Sequence, residues 1–177
     1  MKQHIITTYS FDELSDKAKE TAIQELYDIN VDHGWWQFVY DDAEDIGLKL
    51  TEFDLDRHRH AKGEFMDKAV NVAERIKQDH GKDTDTYKTA NDFLVTAAPI
   101  LKIIEENEEP SDGEYNYDIL HDAEEEFENA VKEFLRSLLE DYSIILQKEY
   151  EYLTSEEVII DTIRANDYDF TENGKLF

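Results

Sequence analysis

Apolar residues recur at helical spacing through most of this chain, and this pattern predicts a helix-rich fold. The longest amphipathic segment is 117–152, where an unbroken apolar stripe runs from Leu120 through Phe134 to Ile145. Ser15 is a good N-cap for the first helix, and Thr154 or Ser155 caps the last. The predicted helices are 16–29, 35–46, 67–80, 86–105, 117–152 and 155–166.

Shorter segments follow the two-residue alternation of β-strands. We expect a strand at 4–9, a second at 48–56 and a hairpin partner at 57–65. The sequence Glu172-Asn173-Gly174 predicts the tight turn of a small C-terminal hairpin over 168–177. The predicted fold class is therefore α+β: one helix-rich domain spanning residues 1–177, with one long amphipathic helix and a small antiparallel sheet.

Three local features qualify this pattern. Pro99 should kink or split the fourth helix, because proline removes a backbone donor. Residues 106–114 are predicted to form an acidic loop, with a turn at Pro110-Ser111-Asp112-Gly113. Trp35 and Trp36 are placed on the inner side of the second helix. Both cannot face the core fully, so the pair serves either core packing or an interface.

The charge of the chain is its most unusual bulk property. It has 44 Asp and Glu against 18 Lys and Arg, for a formal net charge of −26. Aromatic residues make up 12 % of the chain and only two residues are proline, which argues for a folded core rather than acidic disorder. Direct binding to nucleic acid or to an anionic membrane surface is disfavoured, because both need basic residues.

Other classes of protein are disfavoured by what the sequence lacks. There is no cysteine, which excludes disulfides, thiolate catalysis and cysteine-bound zinc. The N-terminal residues do not form the apolar core of a signal peptide, so we expect a cytoplasmic location. Glycine-rich phosphate loops and nucleophile motifs are missing as well. We therefore expect a protein that is not an enzyme and needs no cofactor.

The candidate binding surface is an acidic tract between Ile103 and Val131, a stretch without Lys or Arg. Solvated helices usually alternate charges of opposite sign, because like charges four residues apart repel. A surface that lacks this compensation is suited to a basic partner, although a merely solubilising surface is the alternative. The tract comprises Glu105, Glu106, Glu108, Glu109, Asp112, Glu114, Asp118, Asp122, Glu124, Glu125, Glu126 and Glu128.

A second acidic cluster lies on the outer side of the second helix, at Asp41, Asp42, Glu44 and Asp45. If this helix lies beside the long helix, the two clusters would form one continuous negative surface. The sequence leaves that arrangement open.

A candidate metal site is the alternating run Asp54, Asp56, His58 and His60. On a single strand these four residues would share one face and offer oxygen and nitrogen ligands to a divalent metal. The alternative is a solvated strand face with no metal.

Several blocks of the chain resemble a group of small acidic proteins found in bacteriophages and prophages. The blocks are YSFDELSDKAK at 9–19, WW at 35–36, YDDA at 40–43, TYKTA at 86–90, EYEYLTS at 149–155 and ANDYDF at 165–170. The resemblance implies a phage-related origin, and no catalytic residues come with it. Phages also make compact acidic proteins that imitate DNA and inhibit restriction or CRISPR enzymes, and this chain is similar to them in charge and size only.

These observations favour a phage-type inhibitor of a host defence system, acting stoichiometrically as a nucleic-acid mimic. Its partner would be a basic nucleic-acid-binding protein of the host cell, bound by the acidic tract and by Asp41, Asp42 and Asp45. The alternative is a non-enzymatic adaptor or scaffold that pairs through its long helix, with a partner or with itself as a homodimer.

Overall fold

The computed structural model describes residues 7–108 and 116–177 and confirms the α+β class. A 3₁₀ turn at Phe11–Glu13 follows the first strand. The strands are β1 (Tyr9–Ser10), β2 (Leu48–Asp54), β3 (His60–Phe65) and β4 (Asp169–Phe170). The helices are α1 (Asp16–Glu25), α2 (Gln37–Asp45), α3 (Ala69–Asp79), α4 (Asp85–Glu108), α5 (Tyr117–Leu153) and α6 (Glu156–Ala165).

Contacts between residues divide the chain into two compact units. The first unit comprises the chain up to Gln37 together with Gln147–Phe177, and the second comprises Phe38–Leu146. The prediction that they behave as one domain stays a prediction.

The first unit is built around α1, α6 and the β1–β4 pair. Its core contains Phe11, Leu14, Ala18, Ala22, Ile159, Ile163 and Phe170. Ser15 caps α1 as predicted, because its hydroxyl accepts a hydrogen bond from the Ala18 N–H at 3.4 Å. β1 and β4 pair antiparallel, with Tyr9 opposite Phe170. A further antiparallel bridge joins Phe170 to Leu176 and confirms the predicted C-terminal hairpin turn.

The second unit combines the β2–β3 hairpin with α2, α3, α4 and most of α5. Leu48 lies opposite Phe65 and Asp54 opposite His60, so the predicted hairpin is confirmed. The ring of Phe134 stacks on Phe93 of α4 at 4.4 Å and on Phe65 of β3 at 5.3 Å. Phe93 also lies 6.4 Å from Phe127, and Thr89 donates to Asp141. Earlier residues of α4 thus meet later residues of α5, and the two helices run antiparallel.

Some predicted boundaries are wrong. The predicted strand at 4–9 lies partly outside the described residues, and the strand that is seen is Tyr9–Ser10. α1 ends at Glu25 instead of continuing to 29, since Tyr27, Ile29 and Asn30 are weak helix formers. α2 begins only at Gln37, so both tryptophans precede it. Trp35 instead packs against Tyr150, with the ring centroids 5.6 Å apart.

Pro99 does not split its helix, and α4 continues through Pro99 to Glu108. Proline leaves the carbonyl of Val95 without its usual partner. Val95 is 68 % exposed, so water can satisfy that carbonyl. The first residues of the predicted acidic loop, including Glu106, are therefore helical.

Candidate acidic binding surface

The acidic residues of α5 are exposed because the opposite side of the helix is buried. Ala123, Phe134, Leu138, Tyr142 and Leu146 form the buried side. The start of the helix is fixed by Asn116, whose side-chain oxygen accepts a hydrogen bond from the Ile119 N–H at 3.2 Å. The exposed carboxylates of this part of the helix are Asp118, Asp122, Glu124, Glu125, Glu126 and Glu128.

The carboxylates of α5 differ in whether they meet a basic side chain. In the middle part of the helix, Glu140 meets Arg59 at 2.6 Å. Glu133 is bound by Arg136, which lowers the pKa of the Glu133 carboxyl chiefly through the hydrogen bond between them. Glu128 lies 3.6 Å from Lys132. Within residues 7–108 and 116–177, no ion pair involves Asp118, Asp122, Glu124, Glu125 or Glu126.

The last turns of α4 bring further carboxylates to the same end of the hairpin. At 1.5 Å per residue, Glu105 lies about 18 Å beyond Phe93 along α4, and Asp118 about 13 Å before Phe127 along α5. Because the helices are antiparallel, both displacements point the same way. We call the set Glu105, Glu106, Asp118, Asp122, Glu124, Glu125 and Glu126 the acidic end.

The position of Glu105 and Glu106 is unfavourable for folding. The C-terminus of a helix has a partial negative charge that prefers cations, yet α4 has no basic residue in its last turn. Glu106 is 3.7 Å from Lys102 one turn earlier. Glu108 also belongs to α4, whereas the candidates Glu109, Asp112 and Glu114 lie outside the described residues.

The second acidic cluster does not extend this surface. Asp42 accepts a 2.8 Å hydrogen bond from the hydroxyl of Tyr142, which places α2 beside the later part of α5. Tyr142 is about 24 Å along the helix from Glu126. Burial, and then the charge of Asp42, raises the pKa of the Tyr142 phenol. The cluster's other members are exposed, namely Asp41, Glu44 and Asp45. Asp42, in contrast, accepts the hydrogen bond from Tyr142 within the protein.

Asp42 also belongs to a polar network that the sequence did not indicate. Its carboxylate lies 3.8 Å from Nε2 of His80, and Nδ1 of His80 is 2.8 Å from the hydroxyl of the buried Thr86. With Tyr142 the network joins α2, α5 and the segment between α3 and α4. Its members are far apart in the sequence, and no local sequence motif predicts that they meet.

The proposed metal face is not formed. The turn between β2 and β3 falls within the run, so Asp54 ends one strand and His60 begins the next. Asp56 lies in the turn, where its N–H donates to Asp54 at 2.7 Å. His60 meets the backbone oxygen of His58 through Nδ1 at 2.9 Å. In the described parts of the chain, no three His, Asp or Glu residues are grouped so that they could hold a metal ion.

A comparison of the chain with known protein families, with curated proteins and with solved structures finds no match. Among the helices in the described ranges, none has the length and apolar character needed to cross a membrane.

Proposed function

We propose that this protein binds stoichiometrically to a basic nucleic-acid-binding protein and occupies its nucleic-acid groove with the acidic end. The observation that supports this most is the contrast along α5. Glu128, Glu133 and Glu140 each meet a lysine or arginine, whereas the five carboxylates from Asp118 to Glu126 are exposed without any ion pair in the described residues. Uncompensated charge raises the energy of the isolated protein and lowers it again when cations bind.

The charge density suits a mimic of nucleic acid. Five carboxylates of the acidic end lie between positions 118 and 126, a span of about 12 Å at the rise of an α-helix. This gives about one charge per 2.5 Å of axis, against about one per 1.7 Å in duplex DNA. The match is in density, and the geometry of the phosphates is imitated only approximately.

We further propose that the partner is a host defence protein of the restriction or CRISPR type, and that the protein acts as a phage-type inhibitor in the cytoplasm of the host cell. Support comes from the sequence resemblance to phage and prophage proteins and from the acidic end. Binding alone would block the groove, so this function requires neither catalysis nor a cofactor.

The alternative, an adaptor that pairs through α5, is less well supported. The apolar stripe of α5 is already used inside the second unit, where Phe134 is 2 % exposed between Phe93 and Phe65. Pairing through this stripe would require the core to open.

The experiment that tests the proposal is capture of partners on the immobilised full chain from a host lysate at low salt, followed by a salt gradient. We expect a nucleic-acid-binding protein that elutes at moderate salt and is displaced by competing DNA, because screening weakens charge-driven binding. A partner that resists both about 0.5 M salt, where screening is nearly complete, and competing DNA would contradict mimicry.

A further inference from the structure

A groove of about 210 Å³ lies between α4 and α5 in the second unit. Its floor is apolar and includes Phe93 and Phe134, and its sides include Thr96 and Ala130. Sites for small molecules usually have volumes of about 300–1,000 Å³. The groove is smaller than that and suits a single long side chain.

Two carboxylates, Asp92 and Glu133, line the groove. Asp92 is exposed and takes part in none of the ion pairs found among the described residues. Glu133 is held by Arg136 of its own helix, whose Nε donates to Glu133 Oε2 at 3.0 Å. The groove thus offers one uncompensated carboxylate and a second that an incoming cation could share or take over.

The groove is continuous with the acidic end. On α5, Asp122, Glu126, Ala130 and Glu133 follow one another at three- or four-residue spacing and share one face of the helix. On α4, Asp92 and Thr96 lead in the same way through Pro99 and Ile103 to Glu106. A basic segment lying along the acidic end would therefore extend into the groove.

We propose that the groove receives an arginine side chain of the partner protein. This inference rests on the proposed function for the identity of the partner. Arginine can bury its aliphatic stem on an apolar surface while its guanidinium stays at the edge of that surface. The groove offers both parts of such a site, an apolar floor and two carboxylates beside it. Its planar donors bind carboxylates better than the ammonium of lysine does, and arginine is a frequent anchor at interfaces.

The test uses the isotope-labelled full chain and N-acetyl-arginine methylamide as the probe, followed by NMR. We expect the methyl signals of Thr96 and Ala130 to shift on titration. N-acetyl-norleucine methylamide, which has an uncharged alkyl chain, should shift them much less at the same concentration. Equal shifts from both probes, or no shift of either methyl signal, would overturn the proposal.

Two variants give opposite expectations. Asp92→Asn should weaken binding of the arginine probe by at least about threefold, because a charge-assisted hydrogen bond is lost. Arg136→Gln should strengthen binding about twofold or more, since it releases Glu133. A gain of this kind cannot come from a damaged fold.

The matched control is Glu74→Gln, which removes one exposed charge from α3 and should leave the affinity unchanged. Unchanged or weaker binding by Arg136→Gln would contradict the assignment. The NMR titration uses the probe and no partner protein, so a negative titration leaves the result of the lysate capture unaffected. The two proposals can therefore fail separately.

Discussion

The hydroxyl of Tyr142 donates a 2.8 Å hydrogen bond to the carboxylate of Asp42, a residue 100 positions earlier in the chain. Tyr142 is fully buried on α5, whereas the side chain of Asp42 is 42 % exposed on α2. The contact fixes α2 against the later part of α5. It also engages one carboxylate oxygen of Asp42, a predicted binding residue, in a contact within the protein.

Loss of this hydrogen bond should destabilise the protein. We expect Tyr142→Phe to lower the free energy of unfolding by about 1–2 kcal/mol, because a buried donor to a charged acceptor is removed and water can reach Asp42. Urea unfolding followed by circular dichroism measures this. The control Tyr152→Phe changes a side chain that is 62 % exposed. Equal stability of the two variants would contradict the role of the contact.

Asp141 should make the protein less stable as the pH rises. Burial, the largest cause, raises the pKa of its carboxyl above the ordinary value, and Asp85 and Glu140 add to the effect against the hydrogen bond from Thr89. The native state then holds this proton more tightly than the unfolded state does. The stability from Asp141 is full below the ordinary pKa and falls as the pH rises through the native one.

Asp141→Asn removes this penalty and keeps an oxygen that can accept from Thr89. We expect a rise in Tm of about 1–2 °C at pH 7, small because the group is half-buried and water screens it. At pH 3 the difference should vanish. Asp122→Asn, at an exposed position of the same helix, controls for the general loss of one negative charge. An equal gain in both variants would contradict the prediction.

Two glycines with positive φ should respond very differently to alanine. A Cβ at Gly174 (φ 83°) would lie 2.0 Å from the backbone oxygen of Ala18, whereas a Cβ at Gly34 (φ 58°) meets nothing within 4 Å. We expect Gly34→Ala to cost about 1 kcal/mol through backbone strain alone. Gly174→Ala should cost about 3 kcal/mol or more, since overpacking is added. Urea unfolding measures the loss of stability in each variant. Similar losses would contradict the close packing of the Gly174 turn on α1.

Salt should stabilise the protein. At a net charge of −26, repulsion between carboxylates opposes the folded state, and added salt screens that repulsion. Thermal unfolding should give a Tm that rises steadily from about 0.02 M to 0.5 M NaCl. The screening length shortens throughout this range and is below about 5 Å at its upper end. Replacement of Glu124, Glu125 and Glu126 by Gln should reduce the slope. A Tm that is flat or falls with salt would contradict this expectation.

The long helix was predictable because its apolar stripe is uninterrupted. The predicted range 117–152 differs by one residue from Tyr117–Leu153. The exposure of Asp122 and Glu125 follows from the same stripe. The metal face, by contrast, was wrong because the run is not a single strand. Asp54 and His60 lie opposite each other in the hairpin, whereas Asp56 and His58 lie in the turn between β2 and β3.

Other features depend on which distant segments meet. Tyr9 and Phe170, which are far apart in the sequence, lie opposite each other in strands of two residues. Strands this short do not produce a recognisable alternation of apolar and polar residues. The groove near Ala130 arises only when α4 and α5 pack side by side. The pairing of Glu133 by Arg136 follows from helical spacing. The pairing of Glu140 by Arg59, 81 positions earlier, does not, because it depends on how distant segments pack.

The central claim is that the acidic end binds a basic groove. The most direct test is binding of the captured partner to the variant in which Glu124, Glu125 and Glu126 are all changed to Lys. The matched control reverses Glu20, Glu74 and Glu157, three exposed carboxylates on other helices, and so has the same net charge. We expect the first variant to bind at least about tenfold more weakly, which is about 1.4 kcal/mol, with its fold intact by circular dichroism, while the control stays close to wild type. Equal binding by the two variants would mean that total charge, and not the acidic end of α4 and α5, accounts for recognition.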